Sequence, residues 1–163
     1  MMDFSTVKAI TIPEGAVRKI TTGDTALWQQ GPGYTNRLPL AVDADGNPYN
    51  GGLGYKTGYR VNSSYQEVAQ TGMCCTGFIP VCNGDVIRVK NITVAGTAGG
   101  YILHYDADKK GIAPGGASTL LTDPVNGVYT FTPLERSTLA YIRISIGVID
   151  DTTIITVNEE IPS

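Results

Sequence analysis

Apolar and polar positions along this chain alternate in short runs with a period of two, and no long stretch repeats its hydrophobes at helical spacing. In residues 86–92, Ile87 and Val89 fall on one face and Arg88 and Lys90 on the other, the pattern of a half-buried strand. In Tyr141–Ile146, Ile142, Ile144 and Ile146 share the face expected in the core, and Tyr141, Arg143 and Ser145 the face expected in solvent. Residues 58–62, 73–81, 101–106, 129–132 and 154–157 read as further strands, with another around Leu120. Gly, Asn, Asp and Pro separate these runs, and Asn83-Gly84-Asp85 is a tight turn. Residues 34–58, rich in Gly, Asn and Asp, read as a long ordered loop. About eight strands at this spacing predict an all-β fold, an antiparallel β-sandwich of the jelly-roll kind.

The first thirty residues stand apart. Pro13-Glu14-Gly15 and Thr22-Gly23-Asp24 punctuate very short apolar runs, which predicts a small N-terminal β-hairpin module over residues 1–30. The polar joint Gln29-Gln30-Gly31-Pro32-Gly33 separates it from the sandwich domain, residues 34–163. An isolated hairpin is marginal in water and has to lean on a neighbour. Ile10, Ile12, Val17, Ile20, Leu27 and Trp28 are the apolar residues expected to dock it, with Trp28 as the anchor.

Composition and charge narrow the partners. The 163 residues are 42% hydrophobic and only 17% charged, with a net charge of −3. No basic run exceeds two residues, so the concentrated positive patch that a phosphate backbone requires is not expected. No apolar stretch is long enough to span a bilayer, since the run from Leu139 to Ile149 is interrupted by Arg143. Met1-Met2-Asp3-Phe4 lacks the basic and apolar regions of a secretion leader, which predicts synthesis and assembly in a cytoplasm. Cys74, Cys75 and Cys82 are odd in number and lack ligand spacing, as expected of free thiols.

Catalysis finds little support. His104 is the one histidine, so every triad would need it, and it reads as a half-exposed structural residue. The acidic pairs Asp43/Asp45, Asp106/Asp108, Asp150/Asp151 and Glu159/Glu160 fall in predicted turns or near the end of the sequence, where solubility and turn geometry account for them. The expectation is a protein without enzymatic activity or cofactor. Asp43, Asp45 and Asn47 have the alternating oxygens that open a calcium loop, and they make a weak Ca²⁺ site the one metal candidate. Such a loop has glycine sixth and a bidentate Glu twelfth, where this chain has Pro48 and Gly54, so an Asx-type turn is the simpler expectation. Tyrosines gather in the loop region: Tyr34, Tyr49, Tyr55, Tyr59 and Tyr65. Of these, Tyr49, Tyr55 and Tyr59, with Asn50 and Arg60, are the candidate sugar contacts, offering flat apolar area beside hydrogen-bonding groups. The alternative is that these rings pack the loop onto the sandwich.

The opening segment, residues 7–28, resembles the start of many tail, baseplate and fibre proteins of phages and prophages of gut Gram-positive bacteria. Thr76-Gly-Phe-Ile-Pro-Val-Cys-Asn-Gly-Asp-Val-Ile-Arg-Val-Lys-Asn-Ile92 is similar to a stretch of phage virion proteins and to the central strand pair of carbohydrate-binding-module-like jelly rolls. Residues 43–51, 54–60 and 105–109 fit the same proteins. The resemblance implies a structural component of a particle: tail, baseplate, fibre or head decoration. Its partners would be other virion proteins, further copies of itself and a host-surface polysaccharide, and its place would be the virion, assembled in the bacterial cytoplasm. A stand-alone glycan-binding module is the alternative it implies.

Overall fold

The computed structural model describes residues 34–93, 101–112 and 124–161, together with the backbone of residues 19–22 and 25–29. Ten strands are present among them: β1 (Lys19–Thr22), β2 (Thr25–Gln29), β3 (Tyr55–Val61), β4 (Glu67–Thr76), β5 (Ile79–Pro80), β6 (Ile87–Lys90), β7 (Tyr101–Tyr105), β8 (Val128–Phe131), β9 (Tyr141–Ile146) and β10 (Ile154–Val157). Every pairing between them is antiparallel, and the helical pieces among the described residues are 3₁₀ turns at Leu38–Leu40 and Tyr49–Gly52. The chain is all-β, with the sheet arrangement of a β-sandwich.

Two compact units part between Gly33 and Tyr34. In the first, β1 and β2 form a hairpin with Ile20 opposite Trp28 and an irregularity between Ile20 and Thr21. Ile10, Ile12 and Val17 lie outside the described residues, as do the side chains of Ile20, Leu27 and Trp28.

The second unit holds two sheets. One has the order β10-β6-β8; in the other, β3 pairs β4, and β9 pairs β4, β5 and β7. β9 meets β4 at Ile146 and Ser145, then β5 at Ile142 and Tyr141, while β7 runs along Tyr141–Ser145. Cys74 faces Ile146 and Ile79 faces Ile142, so β4 and β5 are one strand interrupted by an extra residue. The bulge at Gly77 and Phe78 turns their backbone toward the loop: Gly77 N–H donates to the Gly54 carbonyl, and Phe78 exchanges bonds with Val42. Thr76 repairs the interrupted ladder, its hydroxyl accepting from the Ile144 N–H and donating to the Gly77 carbonyl.

The main core lies where the apolar faces of both sheets meet. Cys74, Ile79, Ile102, Ile142, Ile144 and Ile146 come from the larger sheet, and Ile87, Val89, Phe131 and Ile155 from the smaller. Each fully buried isoleucine contributes roughly 1.5–3 kcal/mol from the apolar area it removes from water. A second cluster, Val61, Cys75, Phe78, Leu103 and Tyr105, covers the opposite face of the larger sheet beneath Val42, Tyr59, Tyr65 and Tyr141.

That second cluster corrects the reading of β9. Arg143 and Ser145, assigned to solvent by alternation, are 6% and 0% exposed, because the loop from Ala41 to Leu53 and the tyrosines roof their side of the sheet. The loop also yields to β3 at Tyr55, three residues before the predicted strand. The run predicted over 73–81 is β4 and β5, and β4 starts earlier, at Glu67. The exposed stretch Ala69-Gln70-Thr71-Gly72, with no large apolar side chain, hides that first half from a hydrophobicity reading.

Candidate functional site

β7 and β9 bring His104 against the segment after β8, where its Nε2 accepts a hydrogen bond from the Leu134 N–H at 3.1 Å. It is 4% exposed rather than half-exposed. Burial, reinforced by the Arg136 charge, lowers its pKa to about 4, so the ring is neutral near pH 7. A nitrogen committed to a backbone N–H in a closed environment is not positioned to take a proton from a substrate. Cys74 and Cys75 are buried and Cys82 exposed, all three as free thiols. Burial pushes the Cys75 thiol up, away from the thiolate form a nucleophile needs. Asp106 and Asp150 accept the N–H groups of Lys110 and Thr152, closing their own turns. Among the described residues nothing assembles a nucleophile with a base.

The most densely bonded polar group is centred on Arg143. Its Nε donates to the Thr76 carbonyl at 2.8 Å, and a terminal nitrogen reaches Glu67 Oε2 at 2.9 Å and the Tyr49 hydroxyl at 3.1 Å. Tyr49 itself donates to Glu67 Oε2 at 2.7 Å, and Lys56 Nζ holds Oε1 at 2.7 Å. Burial alone would raise the Glu67 carboxyl, but bonds from Arg143, Lys56 and Tyr49 hold it at about 2. The guanidinium also lies 5.2 Å from the Tyr49 ring centre and 5.1 Å from that of Phe78. These bonds join Tyr49 of the loop to Arg143 and Glu67 of the sheet, so the group fastens the loop to the sheet.

The loop tyrosines are thereby dispersed. Tyr49 belongs to the Arg143 group, whereas Tyr55 packs against the main core. Tyr59 lies under Lys56 Nζ, 3.6 Å from its ring centre. Tyr65 stands edge-on to Tyr105 at 5.3 Å and donates its hydroxyl to the Ile112 carbonyl at 2.5 Å. Asn50 donates its amide to the Tyr55 carbonyl at 2.8 Å, within the loop. Each of these residues makes a contact of its own with the loop or the sheet. Arg60 leaves the group altogether.

Asp43 spends its carboxylate locally. Oδ1 accepts the N–H groups of Asp45 and Asn47, both at 2.9 Å, and Oδ2 faces the Asn47 amide at 3.5 Å. The bond from the Asn47 N–H, the largest of several, lowers the Asp43 pKa against the opposing effect of desolvation. The arrangement is an Asx-type turn, and Asp45 and Asn47 are exposed. Among the described residues no three His, Cys, Asp or Glu side chains come together as a metal site.

One surface pocket, of about 190 Å³, lies at the end of β3 and is lined by Arg60, Val61, Asn62, Ser63, Tyr101 and Leu103; others, of about 210 and 420 Å³, lie elsewhere on the larger unit. Val61 is anchored there by its N–H to the Ser145 hydroxyl at 2.9 Å. The Asn62 carbonyl oxygen of the side chain accepts from Ser64 and Gln66, both at 3.0 Å, and so fixes the turn that bears Ser63. Arg60 Nε is buried without a hydrogen-bond partner. Sequence reasoning singled out Arg60 but missed Asn62, Ser63 and Tyr101. Tyr101 comes from β7, forty residues away, and only the pairing of β7 with β9 brings it here. No protein-family model, no curated protein and no solved structure was found to match this chain.

Proposed function

We propose that the chain is a non-catalytic structural component of a phage particle, a part of its tail, baseplate or fibre or a decoration of its head. In this reading residues 1–30 dock the protein to the particle or to further copies of itself. The sandwich of residues 34–163, of jelly-roll type by resemblance, faces outward toward the host surface. The observation that carries the reading is the division of the chain at Gly33 into a hairpin-bearing unit and a larger sandwich. A short hairpin is marginal by itself and gains stability from a partner, which is how a docking element behaves. The residue content of the opening segment and of residues 76–92 supports the same reading by resemblance.

The test is the mass in solution of the full chain and of its Leu27→Asp/Trp28→Asp form, by light scattering. A defined oligomer that falls to monomer on substitution is the expected result. A monomer in both forms would remove self-assembly through the hairpin and favour a stand-alone glycan-binding module.

A further inference from the structure

The five described arginines are not equivalent. Arg37, Arg88 and Arg143 each face a glutamate, at Glu159, Glu160 and Glu67 respectively. Arg136 donates to the Glu135 carbonyl. Arg37, Arg60 and Arg136 each have a buried Nε without a hydrogen-bond partner, and of the three Arg60 alone has no other side-chain hydrogen bond or ion pair with the described residues. A buried donor left unmatched costs about 1–3 kcal/mol, and such a group calls for a partner. This one lines a pocket with no carboxylate among its lining residues.

We propose that this pocket binds the carboxylate of an acidic sugar, a hexuronic acid unit of a surface polysaccharide. The planar guanidinium offers paired donors that match a carboxylate, and a bond to a charged acceptor is stronger than one to a neutral hydroxyl. The Asn62 amide, the Ser63 hydroxyl and the Tyr101 hydroxyl supply hydrogen bonds suited to ring hydroxyls. Val61 and Leu103, buried at 2% and 1% exposure, form the closed floor beneath these polar groups. The volume lies below the ~300–1,000 Å³ of drug-sized sites, which suits one sugar unit of a longer chain. The protein as a whole is acidic, at −3, so the attraction of an anion is local to Arg60.

The proposal rests on the sandwich being the part that contacts the host surface, and its test is separate from that of docking. The full chain is titrated with glucuronate, glucose and inorganic phosphate, following the Arg60 Nε–H signal and the amides of residues 60–63, 101 and 103 by NMR. Glucuronate is expected to bind in roughly the millimolar range, as one charged contact and a few neutral ones allow. Glucose and phosphate are expected to bind at least tenfold more weakly, and Arg60→Gln to lose at least tenfold for glucuronate. Arg60→Lys, which keeps the charge but not the fork, serves where Arg60→Gln does not fold, with the same expected direction. Equal binding of glucose, equal binding of phosphate, or unchanged binding by the variants would each overturn the proposal, as would silence of these signals with glucuronate. Specific binding by a monomeric chain would leave the pocket standing and remove self-assembly through the hairpin; an oligomer without binding would do the reverse.

Discussion

His104 and Glu67 are both held below their ordinary pKa values in the fold, one as a buried neutral ring and the other as a bonded carboxylate, and both therefore lose stability in acid. His104 titrates at about 4 in the fold against about 6.5 in the unfolded chain, so the unfolded state binds its proton first. Stability is therefore lost as pH falls from about 6.5 to about 4, by up to roughly 3 kcal/mol. Glu67, held at about 2 against an ordinary value near 4.5, contributes stability that is present above 4.5 and lost as pH falls toward 2. The expected consequence is a melting temperature that declines in two successive acid windows. Replacing His104 with Gln, which can still accept from the Leu134 N–H, should lower the melting temperature at pH 7 and flatten the decline between 6.5 and 4. An unchanged slope there would mean that His104 is not the group being charged. Glu67→Gln should cost about 3 kcal/mol at neutral pH, because it leaves the buried Arg143 without its counter-charge. Urea unfolding of the two forms measures it; a loss below 1 kcal/mol would show the ion pair to be dispensable.

At the scale of elements, the loop and the larger sheet are built around two close backbone approaches. Gly54 has φ +79°, and a Cβ there would lie 1.6 Å from the Leu38 carbonyl oxygen. Gly77, on the bulge, would drive a Cβ to 2.6 Å from that of Tyr49. Gly54→Ala is therefore expected to cost more than 3 kcal/mol, from a forbidden φ combined with a clash against backbone. A thermal shift of only a few degrees would contradict that seat for the loop. Gly54 also explains what the sequence could and could not say about this region. Its presence where a calcium loop has its bidentate Glu argues for a turn, and Asp43 accordingly closes an Asx turn on Asn47. Nothing local indicated that the turn would be laid over β9, because the covering residues are remote in sequence. Alternation located β6 and β9, whose apolar positions have a period of two in sequence, while β7 and β10 were legible as short β-type runs between turn residues. It misassigned Arg143, whose side of β9 is covered by residues 42–67, although one arginine inside an otherwise apolar run was a visible sign of a buried ion pair. The start of β4 was hidden for the converse reason: its exposed polar stretch offers no apolar period.

For the whole molecule, a sheet buried on both faces and a second sheet over its main core give residues 34–161 the core of a self-sufficient domain. The candidate sites divide by distance along the chain. Arg60 could be named from its local setting, whereas its pocket needed the β7–β9 pairing to add Tyr101. The central claim is that the sandwich stands alone and that association belongs to the opening segment. The measurement that tests it most directly is combined thermal unfolding and light scattering of the full chain and of the piece beginning at Tyr34. The account predicts a monomeric piece with a single cooperative transition, and a full chain that forms a defined oligomer. A piece that fails to unfold cooperatively, or one that keeps the oligomeric mass of the full chain, would contradict it.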